Sequence, residues 1–147
     1  IKNLEISKLI EKKFKVHEVM LEVGKFPIAK TTDFLKDSIE LMDNYRLGII
    51  CVVDKNNKLS GILTDGDLRR NLSNVQKPLA SYFLDYTTKY IKKDATTIYE
   101  NDSLNHAIEI METKEIWDLP VLNDNNELTG LLHLHKAIKK ILTNNIH

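Results

Sequence analysis

The sequence predicts an α+β fold assembled from two copies of one β-α-β-β-α unit. Three observations predict it. The chain repeats itself without a gap from about Ala29 to Leu72, at an offset of 69 that carries Gly61 onto Gly130. Each copy holds two apolar, β-branched runs separated by turn-forming residues. Helical spacings of apolar residues flank each pair. One such unit is too small to bury its own sheet face. The two are therefore expected to pack together in pseudo-twofold symmetry, strands inside and helices outside.

Composition sets the frame. The chain has 147 residues, with 42% hydrophobic and 29% charged. Lysine plus arginine and aspartate plus glutamate number 21 each, so the net charge is zero and argues against nucleic acid or an anionic membrane as the main partner. The single cysteine, Cys51, lies in an apolar run and reads as a small buried hydrophobe. That usage fits a reducing compartment, and the expected location is cytoplasmic. No apolar run approaches a membrane span, and no signal-peptide pattern opens the chain. The first residue is Ile, so a fragment or processed product is expected.

Residues 1–18 set Leu4, Leu9, Ile10 and Phe14 among lysines and glutamates, a weak helical pattern read as a solvated linker from a preceding domain. Repeat 1 is expected over 19–75, and repeat 2 with its linker over 76–147. In repeat 1, residues 27–29 form a short extended piece. Thr31, Thr32 and Asp33 offer N-cap chemistry for a helix whose Leu35, Ser38, Ile39 and Met42 share a face. Leu47 to Val53 is a buried-type strand, residues 54–58 are a hairpin turn, and Leu59 to Leu63 returns. A second helix starts at Thr64, with Leu68 and Leu72 one turn apart. Repeat 2 matches it residue by residue: 53–61 faces 122–130, and 38–42 faces 107–111.

Tandem units of this order, each with a Gly-apolar-apolar step into a helix, resemble the CBS domain pair, or Bateman module. In repeat 1 that step is Gly61-Ile62-Leu63-Thr64-Asp65-Gly66-Asp67, and repeat 2 adds Leu119-Pro120-Val121 in its first inner strand. The resemblance covers about Val19 to Leu142. More narrowly, residues 64–70 together with Gly130 to His135 are similar to the C-terminal CBS pair of bacterial arabinose-5-phosphate isomerases. That resemblance implies a missing N-terminal sugar-isomerase domain that does the chemistry for Kdo synthesis. It also implies a non-catalytic regulatory role for this chain, and association of CBS pairs into a homo-oligomer, commonly a dimer. No required cofactor is expected. The effectors implied are AMP or ATP, CMP or CMP-Kdo, bound in the cleft between the units. A purely structural dimerisation module, or a CBS module of another enzyme, is the alternative.

The implied ligand residues are Thr64, Asp65, Asp67, Arg69, Arg70, Ile28, Ala29, Arg46, Leu47 and Gly48 in repeat 1, with Asp118, Leu119, Pro120, His133 and His135 in repeat 2. A carboxylate at Asp67 accepts from vicinal ribose hydroxyls, and a helix start favours a phosphate. Thr64-x-x-Asp67 reads equally as a helix cap. Arg69 and Arg70 suit an anion, or are simply solvated. His133 and His135 would share a strand face if the strand ran on to Leu134. Lys136 replaces Asp67 and cannot accept ribose hydroxyl hydrogens, so the second ribose site is expected to be lost. Trp117 reads as a core or interface residue, with stacking on a base as the other reading. No nucleophile–base pair, phosphate loop or metal-ligand spacing appears, so no catalytic or metal site is expected.

Overall fold

The computed structural model describes residues 13–74 and 77–144, apart from the Asn144 side chain. Most of the linker expected over 1–18 therefore lies outside the described residues. In chain order the elements are α1 (Val16–Val19), β1 (Leu21–Glu22), β2 (Ile28–Lys30), α2 (Leu35–Tyr45), β3 (Ile49–Val53), β4 (Leu59–Thr64) and α3 (Asp65–Asn74). After them come α4 (Leu79–Phe83), a 3-10 turn (Thr87–Lys89), β5 (Ile98–Tyr99), α5 (Leu104–Lys114), β6 (Asp118–Leu122), β7 (Leu128–His133) and α6 (Leu134–Asn144).

The chain forms two compact units. Among the described residues, one comprises 13–23, 96–125 and 129–144; the other comprises 24–74, 77–95 and 126–128. The second unit holds a three-stranded sheet in the order β2-β3-β4, with β2 parallel and β4 antiparallel to β3. Strand β3 is central and buried along its whole length, which its unbroken apolar sequence anticipates. Its core joins Ala29, Leu35, Met42, Ile50, Val52, Leu63 and Tyr82, with Leu68 and Leu72 packed against them. The first unit holds the order β1-β7-β6-β5 over a core that includes Val16, Leu104, Ala107, Ile108, Met111, Leu119 and Leu132.

The repeat is visible in backbone detail. Helices α2 and α5 both end on a left-handed residue, Arg46 and Glu115. In each case the following amide reaches back to a methionine carbonyl, Leu47 to Met42 and Ile116 to Met111. Both hairpin turns place an asparagine at positive φ, Asn57 and Asn126. Both also use a side-chain oxygen at the turn start: Asp54 accepts from the amides of Asn56 and Lys58, and Asn123 accepts from Asn125.

Each unit borrows the lead-in of the other repeat. Leu21 and Glu22, which precede the gap-free repeating stretch 29–72, pair with Leu131 and Gly130 of β7. Lys92, which precedes the matching stretch that starts at Ile98, pairs with Ile62 of β4. The remaining bonds correspond. The Val16 amide donates to Asp102 O, and Thr87 donates to Asp33 O; Leu104 donates to Phe14 O, and Leu35 donates to Asp85 O. The amide of Leu35 is thereby satisfied by a distant carbonyl. The N-cap position is Phe34, not the Thr31–Asp33 triplet; Asp33 instead accepts from the Lys30 amide at 2.8 Å. Gly61 and Gly130 leave room for this docking. A Cβ at Gly61 would stand 2.5 Å from Lys92 O, and one at Gly130 would stand 2.9 Å from Leu21 O.

One buried contact differs between the two units. Ser38 and Thr87 are fully buried and share a hydroxyl hydrogen bond of 2.6 Å, and Thr87 Oγ1 also donates to Asp33 O. Their counterparts, Ala107 and Val16, are an apolar pair in the other core.

Candidate ligand site

In the second unit the chain leaves β4 at Thr64 and turns directly into α3. The Asp65 amide donates to Gly48 O at 2.9 Å, which ties the helix start to the strand beside it. Thr64 Oγ1 accepts the Asp67 amide at 3.2 Å, so the threonine caps the helix. The Asp67 carboxylate accepts from the Arg70 guanidinium one turn on. Cap and ion pair together satisfy the motif from within the helix. The Asp65 carboxylate lies over Gly48, where an added Cβ would meet Asp65 Oδ2 at 2.7 Å. Glycine therefore opens this position.

Hollows surround that helix start. One of about 680 Å³ is lined by Met42, Arg46, Leu47, Gly48, Asp65 and Leu68, among others. Another, of about 370 Å³, is lined by Asp67, Arg70, Asn71, Tyr90 and Lys92. A third has Gly66, Arg69, Arg70 and Ser73 in its wall. Arg70 thus borders two hollows while pairing with Asp67 beside one of them. Ile28 is half-buried in β2, but Ala29 and Leu47 are buried, so their side chains serve packing. Arg46, Gly48 and Arg69 are exposed.

In the first unit the same step is built from other chemistry. The Leu134 amide donates to Trp117 O at 3.0 Å, matching Asp65 and Gly48. His133 Nδ1 stands 2.6 Å from Asp118 Oδ1, both partly buried. Leu119 and Pro120 are buried in the strand. Strand β7 ends at His133 and α6 begins at Leu134, so the two histidines do not share a strand face. The Leu134 amide is drawn to the Trp117 carbonyl, which starts the helix one residue too early for that. His135 and Lys136 are exposed in the first turn of α6. Trp117 is 56% exposed and lies outside the core. The candidate residues thus form two groups, one in each compact unit.

A polar cluster at Lys77, Asp85, Lys89 and Tyr90, in the linker and entry that the sequence reading included in 76–147, escaped that reading. Lys77 Nζ donates to Asp85 Oδ2 at 2.5 Å, the Tyr90 hydroxyl donates to the same oxygen, and Lys89 Nζ stands 3.6 Å away. The Lys77 bond, then the Tyr90 bond, holds the Asp85 carboxyl down at about 2. Lys77 is pushed up from its ordinary value by Asp85. Burial, then Asp85, pushes Tyr90 up. Lysine and aspartate eight residues apart carry no periodic signature; the docked lead-in brings them together.

Among the described residues no group of three His, Cys, Asp or Glu stands together as a metal site, and no helix is long and apolar enough to cross a membrane.

The chain is thus a duplicated α+β unit whose first copy carries a threonine-capped helix start directly after a strand. The family model for the CBS domain matches residues 16–74 and 87–143, and the chain belongs to the CBS domain family. It is 37% identical over 106 residues to a probable arabinose 5-phosphate isomerase of Haemophilus influenzae, covering 71% of this chain and 30% of that protein. It is 30% identical over 129 residues to an arabinose 5-phosphate isomerase of Francisella tularensis, covering 85% of this chain and 37% of that protein. The chain spans well under half the length of the curated relatives it matches. Among solved structures, the CBS-pair protein CBSX2 of Arabidopsis thaliana, in complex with AMP, superposes with a TM-score of 0.76 at 19% identity, over 90% of this chain and 98% of that one. The fold is a tandem CBS pair.

Proposed function

We propose that this chain is the regulatory, non-catalytic CBS pair of a sugar-phosphate isomerase, and that it senses a nucleotide or nucleotide sugar at the helix start of repeat 1. The observation that carries this reading is the Asp67–Arg70 pair set beside Thr64. Within the pair the two charges neutralise each other. A ribose diol is a double donor that suits the Asp67 carboxylate, and a phosphate is the natural partner of the released Arg70. One ligand carrying both groups would therefore replace the internal pair with two external ones. Arg69 on the same helix adds positive charge, and the N-terminal dipole of α3 adds to the attraction for phosphate.

The relatives named as arabinose 5-phosphate isomerases support the choice of parent enzyme, and the AMP held by CBSX2 supports the ligand class. An end-product nucleotide sugar such as CMP-Kdo would give feedback. A ligand that binds one conformation of the pair more tightly shifts the population toward it, and the attached enzyme would follow.

The test is a thermal-shift panel of AMP, ATP, CMP, CMP-Kdo and S-adenosylmethionine on this chain. Ligand at a hundred times its dissociation constant stabilises by about 2.7 kcal/mol, which raises Tm by several degrees for a chain of this size. Asp67→Ala should remove the rise. A panel without any rise, or a rise that survives the substitution, would defeat the reading.

A further inference from the structure

A second, chemically different hollow lies in the same compact unit, at the opposite end of the sheet. Lys30 pairs with Val53 and Val53 with Leu59, whereas Thr64 pairs with Ile49. Thr31 and Ser60 therefore mark the end of the sheet remote from Thr64. The hollow there measures about 680 Å³, within the range of small-molecule sites.

Its wall combines three kinds of group. Thr31, Ser60 and Thr88 supply hydroxyls from three separate segments. Lys89 and Lys93 supply ammonium groups, and both residues are exposed. Leu84 and Tyr86 supply apolar surface and are 69% and 55% exposed. The Tyr86 ring is held in place by stacking on Phe34, with centroids 5.3 Å apart. One carboxylate, Asp85, also lines the hollow, but its charge is already met. Lys77, which is not in the wall, donates to it at 2.5 Å, and Tyr90 donates as well, while Lys89 stays at 3.6 Å. The charge left facing the hollow is positive.

The geometry points to a binding site for a phosphate monoester with an apolar or aromatic body. Two ammonium groups and three hydroxyl donors match a dianion with three acceptor oxygens. The fixed tyrosine ring and Leu84 match the body, which gains by leaving water. The site differs from the one at Thr64: Ile91 lines both this hollow and the one beside Asp67, but the two have no polar or charged lining residue in common.

The experiment maps amide chemical shifts of the whole chain with three probes: phenyl phosphate, inorganic phosphate and benzoate. Phenyl phosphate should shift the amides of Thr31, Ser60 and Thr88 saturably and bind tighter than either other probe. The K89Q/K93Q variant, altered only at exposed positions, should keep its spectrum elsewhere and lose about tenfold or more in affinity. Asp67→Ala should leave this binding unchanged, which separates it from the nucleotide site. Shifts confined to residues 64–71, equal affinity for inorganic phosphate or benzoate, or unchanged affinity in the double variant would each overturn the proposal.

Discussion

His133 bonds Asp118 at 2.6 Å in the place where repeat 1 has Thr64 and Ile49. One threonine cap has thus been exchanged for a histidine–carboxylate pair, and the Asp67 equivalent has become Lys136. The two helix starts are no longer chemically equivalent. Wild type should bind one nucleotide per chain. The double substitution His133→Thr with Lys136→Asp restores the acceptor pattern and should raise the stoichiometry toward two by calorimetry. A count that stays at one would show that these residues do not decide occupancy.

The buried hydroxyl pair of Ser38 and Thr87 offers a test with an internal control. Replacing Ser38 by Ala, or Thr87 by Val, removes half of a buried hydrogen bond and should cost about 1–3 kcal/mol. The double replacement recreates the Ala107 and Val16 arrangement already present in the other core. It should be less destabilising than the two single effects added together. Urea unfolding of the four proteins measures the coupling; strict additivity would refute it.

Gly61 and Gly130 should not tolerate a methyl group equally. At Gly61 the new carbon meets the Lys92 carbonyl at 2.5 Å and the Ile91 side chain at 2.9 Å. At Gly130 the backbone contact is a looser 2.9 Å, and the tighter neighbour is the flexible side chain of Met20. Gly61→Ala should therefore cost the upper part of the ~1–3 kcal/mol range for overpacking, and Gly130→Ala the lower part. Denaturation midpoints give the order, and a reversed order would contradict the docking geometry.

The Asp85 cluster predicts an acid-sensitive contribution. The folded carboxyl titrates at about 2 against an ordinary 3.8. A depressed folded value stabilises above the unfolded one, and that stabilisation disappears as pH falls toward 2. The stability difference between wild type and Asp85→Asn should therefore be largest near neutrality and shrink between pH 4 and pH 2. Lys77 acts at the other extreme: its raised value adds stability below its ordinary 10.5 that is lost as pH climbs past the folded value. A difference that stays constant across the acid range would mean that Asp85 contributes nothing through its charge.

Much of each repeat body was legible in the sequence because its signals are local. Apolar runs at Ile49–Val53, turn residues at 54–58 and the Leu35–Met42 face follow from short-range periodicity. The constant offset then carried each assignment to the second copy. The lead-ins were not legible, for a definite reason. Ile91 and Lys92 occupy the places of Met20 and Leu21, so the lead-ins are 71 residues apart (91 minus 20), not 69. Two additional residues near Gly24, at φ 95°, break the register in repeat 1. The strand-to-helix step at Thr64 was legible because it is written in contiguous sequence. The hollow near Thr31 was missed because its walls come from three distant segments.

The exchanged lead-ins also constrain where such a chain can have come from. A lone repeat would carry its strands and helices but leave the edge beside Gly61 or Gly130 uncovered. Two free copies could complete each other only by trading arms, as in a segment-swapped homodimer. The tandem chain has the connectivity expected if such a dimer were sewn into one polypeptide. A backbone cut between α3 and α4 should therefore yield two halves that are each incomplete alone and that fold when mixed.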